Sequence, residues 1–163
     1  YLEQFYTFGD VARYQPEIMQ TILEANGHST EKYAWMLDRF LSVAYYALIN
    51  YKEVIPTPDA LSDSCDWYDM DELPNLMLDH AEIVAKALQT LRENLDRKLV
   101  GMNLLPSRFT LGELQKVYEA ILGESLHRGK KKKKMLGLDI LKRHEKQYSG
   151  AAHKAPFLYS FEA

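Results

Sequence analysis

The sequence predicts an α/β chain in two modules: an α/β unit over residues 1–98 and a small α+β unit over residues 99–163. Three observations carry this. Aromatic, β-forming runs at residues 1–8 and 40–51 precede a long helical stripe at 79–95, the mixture expected of a sheet with a covering helix. A capped helical pattern at 110–123 is followed by two strand patterns within residues 141–161, the second carrying three alternating aromatics. The charge also divides: residues 1–96 hold 6 Lys and Arg against 17 Asp and Glu, whereas residues 97–163 hold 14 against 6, within a net charge of −3. Such a split points to two modules with different partners, because a basic segment attracts phosphate backbones and an acidic one repels them.

The first module opens with a strand at 1–8, which the turn signal Gly9-Asp10 ends. Ile18, Met19, Ile22 and Leu23 recur at helical spacing, and Gly27 stands where a helix over 16–26 would stop. A second short helix is expected after Ser29 or Thr30, with Tyr33, Met36 and Leu37 on one face. The nearly continuous apolar run at 40–51 predicts a central strand buried on both faces, although periodicity alone leaves a buried helix open. Pro56 and Pro58 mark a loop, residues 65–70 a further short strand, and Leu73-Pro74 a turn. Asp79 with Glu82 forms a capping-box pattern ahead of Ile83, Val84, Ala87, Leu88, Leu91 and Leu95.

In the second module Thr110 and Glu113 make another capping box. Leu111, Leu114, Val117, Tyr118, Ile121 and Leu122 line one helix face, and Gly123 sits at the C′ position. A second helix is expected from about His127 through the run Lys130–Lys134 to Leu138, interrupted by Gly129 and Gly137. Basic residues at 141–146, a turn at Ser149-Gly150 and a return strand at 156–161 complete a hairpin. Phe157, Tyr159 and Phe161 share one face by period two and are read as core. Helix, helix and basic hairpin in this order predict a winged helix, a module that most often reads duplex DNA.

Bulk composition excludes several classes. With Cys65 the only cysteine, an intrachain disulfide and a Cys-rich zinc site are both ruled out, which suits a reducing cytoplasm. No apolar run approaches the length of a membrane span. The five histidines lack metal-ligand spacing, no phosphate-binding glycine loop occurs, and no catalytic constellation is recognisable, so no metal and no catalytic residue is assigned. The start at Tyr1, within a strand pattern, suggests a fragment of a longer protein.

Leu104-Leu105-Pro106, Phe109-Thr110-Leu111, Leu114-Gln115, the run from Tyr118 to Gly123, Arg128, Met135-Leu136 and the run from Leu158 to Phe161 resemble the C-terminal winged helix of the Nudix-related bacterial transcriptional regulators. Upstream, Tyr1-Leu2-Glu3-Gln4 with the run from Tyr6 to Asp10 is similar to the strand that follows the Nudix helix. Ser42-Val43-Ala44-Tyr45 looks like the next strand, and Trp67, the run from Asp71 to Pro74 and Asp79-His80 like the closing strand and last helix. The resemblance covers nearly the whole chain in order. It implies a partial Nudix-like α/β/α effector domain before the winged helix, and a ligand-responsive regulator acting as a homodimer on double-stranded operator DNA. It also implies an effector such as ADP-ribose, a nucleotide sugar or a sugar, and hence NAD or carbohydrate metabolism.

The chain departs from that family in three places. The Nudix box, whose clustered carboxylates hold Mg²⁺ for attack on a pyrophosphate, is absent from residues 1–163. This chain alone is therefore expected to hydrolyse poorly and to need no cofactor. Mg²⁺ enters only under the alternative reading, an ADP-ribose-type Nudix pyrophosphohydrolase whose box lies upstream of Tyr1. Residues 11–41 insert two apparent helices where the family has a short loop, either reshaping the ligand site or dimer interface or forming a surface excursion. Finally, Lys130-Lys131 replaces an Asn-Phe pair, so the lysine run predicts phosphate binding without base readout. The DNA-contact candidates are Arg128, Lys130, Lys131, Lys132, Lys133, Lys134 and, on the wing, Lys142, Arg143, Lys146, His153 and Lys154. The effector-site candidates are Arg13, Arg39, Tyr45 and Trp67.

Overall fold

The computed structural model describes residues 2–60, 62–95, 104–126, 137, 140–147 and 155–162. Two compact units are present, one from Leu2–Tyr46 with Asp66–Ala87 and one from Ala47–Cys65 with Leu88–Ala163.

The first unit contains β1 (Leu2–Phe8), α1 (Pro16–Ala25) and β2 (Ser42–Ala47). β1 and β2 form a two-stranded sheet. Tyr46 donates its hydroxyl to Glu3 at 3.0 Å, while at the other end Phe8 and Ser42 share Arg13, so the strands run in opposite senses. α1 starts on Pro16, whose missing N–H costs nothing in the first turn. It buries Met19 and Leu23, and Gly27 follows it at φ +69°, a conformation that suits glycine after a helix.

The expected helix after Ser29 is only a 3₁₀ turn at Ala34–Leu37. Ser29 accepts the Lys32 N–H through its side chain, and the segment is too short to offset the cost of helix nucleation. The run 40–51 is not a strand buried on both faces. Only Ser42–Ala47 is extended, and Val43 and Tyr45 are 49% and 54% exposed. With one partner strand and one covered face, the run alternates instead of being buried throughout. Residues 65–70 form no strand. Asp66 and Asp69 disfavour extended pairing there, and Trp67, Tyr68 and Met70 are exposed.

α2 (His80–Asn94) contributes its first turns to the first unit and, from Leu88, its last turns to the second. There it joins β3 (Phe109–Thr110), α3 (Leu111–Leu122), β4 (Leu141–Lys146) and β5 (Phe157–Phe161). The sheet order is β3-β5-β4, both pairs antiparallel, with Phe109 opposite Tyr159 and Leu141 opposite Phe161. Leu114, Tyr118 and Ile121 of α3 pack with Phe109, Tyr159 and Leu95 into one core. Leu91 of α2, four residues before Leu95, packs against this core. The Tyr118 hydroxyl reaches the Leu95 carbonyl at 3.4 Å, giving a buried polar group a partner.

Both ends of α3 are as the sequence predicts. The Glu113 N–H donates to Thr110 Oγ1 at 3.2 Å, and the Thr110 N–H donates to Glu113 Oε2 at 2.7 Å. Gly123 stands at φ +73°, its N–H on the Glu119 carbonyl, while Arg92 Nε donates to the Ile121 carbonyl at 2.8 Å. Arg92 thus closes an otherwise open carbonyl and sets a cation at the negative end of the helix. Thr110→Ala should lower the unfolding free energy by about 1 kcal/mol, and Thr110→Ser should restore it. Equal denaturation midpoints for all three proteins would show that the box contributes nothing.

Candidate DNA-binding hairpin and effector cleft

The wing-like hairpin is built by a register slip. Leu141, Lys142 and Arg143 pair with Phe161, Ser160 and Tyr159, but Lys146 pairs with Phe157. The slip is a β-bulge, which bends the strand and re-aims its side chains. Lys142 and Arg143 are exposed. Arg143 lies over the Phe157 ring at 4.7 Å from its centroid, and Lys146 at 5.3 Å. Glu145, between them in sequence, pairs with Arg108. His144 is turned the other way, its Nε2 2.8 Å from Ser160 Oγ.

Three of the DNA-contact candidates, Lys142, Arg143 and Lys146, are therefore gathered on one strand. Arg128, Lys130, Lys131, Lys132, Lys133, Lys134, His153 and Lys154 lie outside the described residues, as does most of the helix expected at 127–138. The alternating aromatics divide. Tyr159 is buried and Phe161 packs on Phe109 with ring centroids 4.9 Å apart, but Phe157 is 37% exposed. The core reading of Phe157 fails because the bulge sets it opposite a lysine at the end of the ladder.

In the first unit Arg13 is the centre of a polar knot. It is paired with Asp79, its Nη1 donates to the Phe8 carbonyl at 2.8 Å, and Nη1 and Nη2 both lie 3.2 Å from Ser42 Oγ. Its side chain and that of Asp79 are only 15% and 17% exposed. Asp79, expected as a helix cap, turns its carboxylate to Arg13, while its carbonyl receives the N–H groups of Glu82 and Ile83. Arg39 donates to the Gly9 carbonyl at 3.0 Å.

Arg13 and Arg39 both line a small cavity of about 30 Å³, with Asp10, Met36, Phe40 and Asp79 among its walls. Arg13 also borders an open cleft of about 600 Å³ with Tyr6, Phe8, Glu82 and Lys86, where Lys86 lies 5.7 Å from the Tyr6 ring centroid. Tyr45 and Trp67 line neither space: Tyr45 donates to Gln4 on the sheet, and Trp67 is half-exposed elsewhere in the unit. The structure thus joins the two arginines and separates them from the two aromatics. Sequence reasoning missed Tyr6, Lys86 and Asp79 as cleft residues. Tyr6 and Phe8 alternate on β1, but nothing local to Lys86 or Asp79 signals proximity to residues about seventy positions earlier. Among the described residues no cluster of His, Cys, Asp and Glu suits a metal ion.

Residues 101–161 match the family described as the NrtR DNA-binding winged helix domain. The "ADPR responsive transcriptional repressor NtrR" of Acinetobacter baylyi is 31% identical over 124 residues, 74% of this chain and 48% of the relative. The crystal structure of Shewanella oneidensis NrtR is similar with a TM-score of 0.63 at 24% identity, covering 99% of this chain and 64% of that one. The same protein complexed with a 27mer DNA gives 0.62 at 23% identity, with the same coverage. The chain thus spans about half the length of the Acinetobacter relative and less than two thirds of the Shewanella protein. The fold is a mixed α/β unit with a winged helix, and residues 101–161 are a winged-helix domain of the NrtR DNA-binding type.

Proposed function

We propose that this chain is the DNA-binding and part of the effector-sensing portion of a bacterial transcription regulator. Its winged helix holds duplex operator DNA, and a ligand of the ADP-ribose class alters that hold. The observation that carries the reading is the β3-β5-β4 sheet. It anchors a doubly capped α3 and presents Lys142, Arg143 and Lys146 on one hairpin strand, within the span that matches a DNA-binding family. The Acinetobacter relative, named as ADPR-responsive, supports ADP-ribose over a sugar as effector. The cleft beside Arg13, Lys86 and Tyr6 sets two cations and an aromatic ring among the carboxylates of Asp10, Asp79 and Glu82, so a phosphate entering there competes with Asp79 for Arg13, while the Tyr6 ring offers a face to a nucleobase.

The regulator acts as a homodimer in the cytoplasm, and the chain needs no cofactor of its own. Mg²⁺ enters only if the parent protein carries a Nudix box. Among the described residues no helix is long and apolar enough to cross a membrane.

Anisotropy of a labelled duplex from the protein's own upstream region tests this. Binding should appear at low salt and fall linearly on a log–log plot, with a slope near −0.9 for each phosphate neutralised. ADP-ribose should shift the curve. A complete lack of duplex binding at low salt overturns the reading.

A further inference from the structure

We propose that Phe157 is a positioning residue for DNA binding: its exposed ring gathers Arg143 and Lys146 into one paired cation that meets the phosphodiester backbone. This rests on the DNA-binding reading above and adds to it a device that neither charge nor fold class supplies.

The register slip is the first support. Had the ladder continued from Leu141–Phe161 and Arg143–Tyr159 without a bulge, the residue opposite Phe157 would be Glu145. The bulge puts Lys146 there. A cation therefore replaces a carboxylate across from the ring. The displaced Glu145 is drawn to Arg108, so this nearby anion is occupied away from the ring.

The ring supplies the second support. Phe157 is left 37% exposed at the first position of its strand, and both cations lie within 5.3 Å of its ring centroid. The negative face of an aromatic ring attracts cations, which lets two like charges share a position where their mutual repulsion would otherwise spread them. Long Arg and Lys side chains lose rotamer freedom when they grip a phosphate. Held against a ring beforehand, they lose less on binding. A compact pair of cations beside an apolar ring suits a backbone phosphate and its adjoining sugar. It carries no base information of its own.

The test uses Phe157→Leu, which keeps apolar bulk and removes the ring, with Phe157→Met as a second variant in case leucine disturbs the hairpin. Circular-dichroism melts first establish that both are folded. Anisotropy with a labelled duplex of arbitrary sequence then compares them with the parent, with Phe157→Tyr and with the pair Arg143→Ala/Lys146→Ala. Loss of the ring should weaken binding about threefold to tenfold, the scale set by freeing two long side chains. Tyrosine should restore it. The salt slope of the leucine variant should stay near the parent's, because both charges remain, whereas the double alanine variant should lose about two units of slope. Adding Phe157→Leu to the double alanine variant should then change nothing.

Parent-like binding by the leucine and methionine variants overturns the proposal. So does a further loss in the double alanine background, which would mean that the ring touches DNA directly. If the parent itself fails to bind duplex at low salt, the DNA-binding reading falls and this proposal with it. If the parent binds and the ring is silent, only this proposal falls.

Discussion

Leu114→Ala should cost about 3–5 kcal/mol and Phe109→Ala a similar amount, because each deletes a side chain with almost no access to water and leaves a cavity. The two residues are 2% and 1% exposed and are the largest fully buried side chains among the described residues. They meet where α3 crosses the β3-β5 pair, with Tyr118, Ile121 and Tyr159 around them. Small domains are stable by only about 5–15 kcal/mol, so either change removes a large fraction of the margin. The measurement should be specific to this unit. Trp35 and Trp67 both lie in the other one, which makes tryptophan emission a poor probe. Amide exchange within α3 is the better readout, and it should accelerate sharply. Parent-like protection in the alanine variants would mean that the core is not where the packing places it.

Arg13→Ala should destabilise the first unit by about 2–3 kcal/mol, somewhat below the loss of one partner from a fully buried pair because some solvent reaches it. The change leaves the Asp79 carboxylate, the Phe8 carbonyl and the Ser42 hydroxyl without their shared donor. Arg13→Lys should recover little. An ammonium can approach one of these acceptors but cannot span three with a planar fork. Removing both partners, as Arg13→Ala/Asp79→Ala, should cost less than the sum of the single changes, since no lone charge is left behind. Denaturation followed by tryptophan emission reports on this unit, and additive losses would deny the coupling. The expected outcome bears on the effector reading as well. An arginine so fully engaged with the protein is a wall of the cleft first, and any anion entering there competes with Asp79 for it.

Much of the second unit could be read from the chain because its signals are local. Thr110 and Glu113, three residues apart, define a helix start, and Gly123 its end. Leu114, Tyr118 and Ile121 fall on one face by helical period alone. The first unit was less legible. The apolar run at 40–51 contains both strand residues and residues that leave the sheet, and composition cannot tell how many neighbours a strand will have. Cys65 to Met70 mixes aromatics with aspartates, and only the folded chain decides between pairing and a loop. The Arg13–Asp79 pair spans 66 positions, beyond the reach of any periodicity. Phe157 was misassigned for a different reason. Period two sets its face but not its depth, and at the first residue of β5 the bulge in β4 brings Lys146 rather than Glu145 opposite the ring.

The last turns of α2 change where the winged module begins. The family match starts at residue 101, but Leu91 and Leu95 lie on the hydrophobic core of that module and Arg92 closes the end of α3. A chimera or trimmed fragment joined at the edge of the match would expose part of the Tyr118–Ile121 surface and leave the Ile121 carbonyl without its arginine. The segment that exchanges as a unit, in evolution or on the bench, therefore reaches back into the helix that sequence similarity leaves outside it.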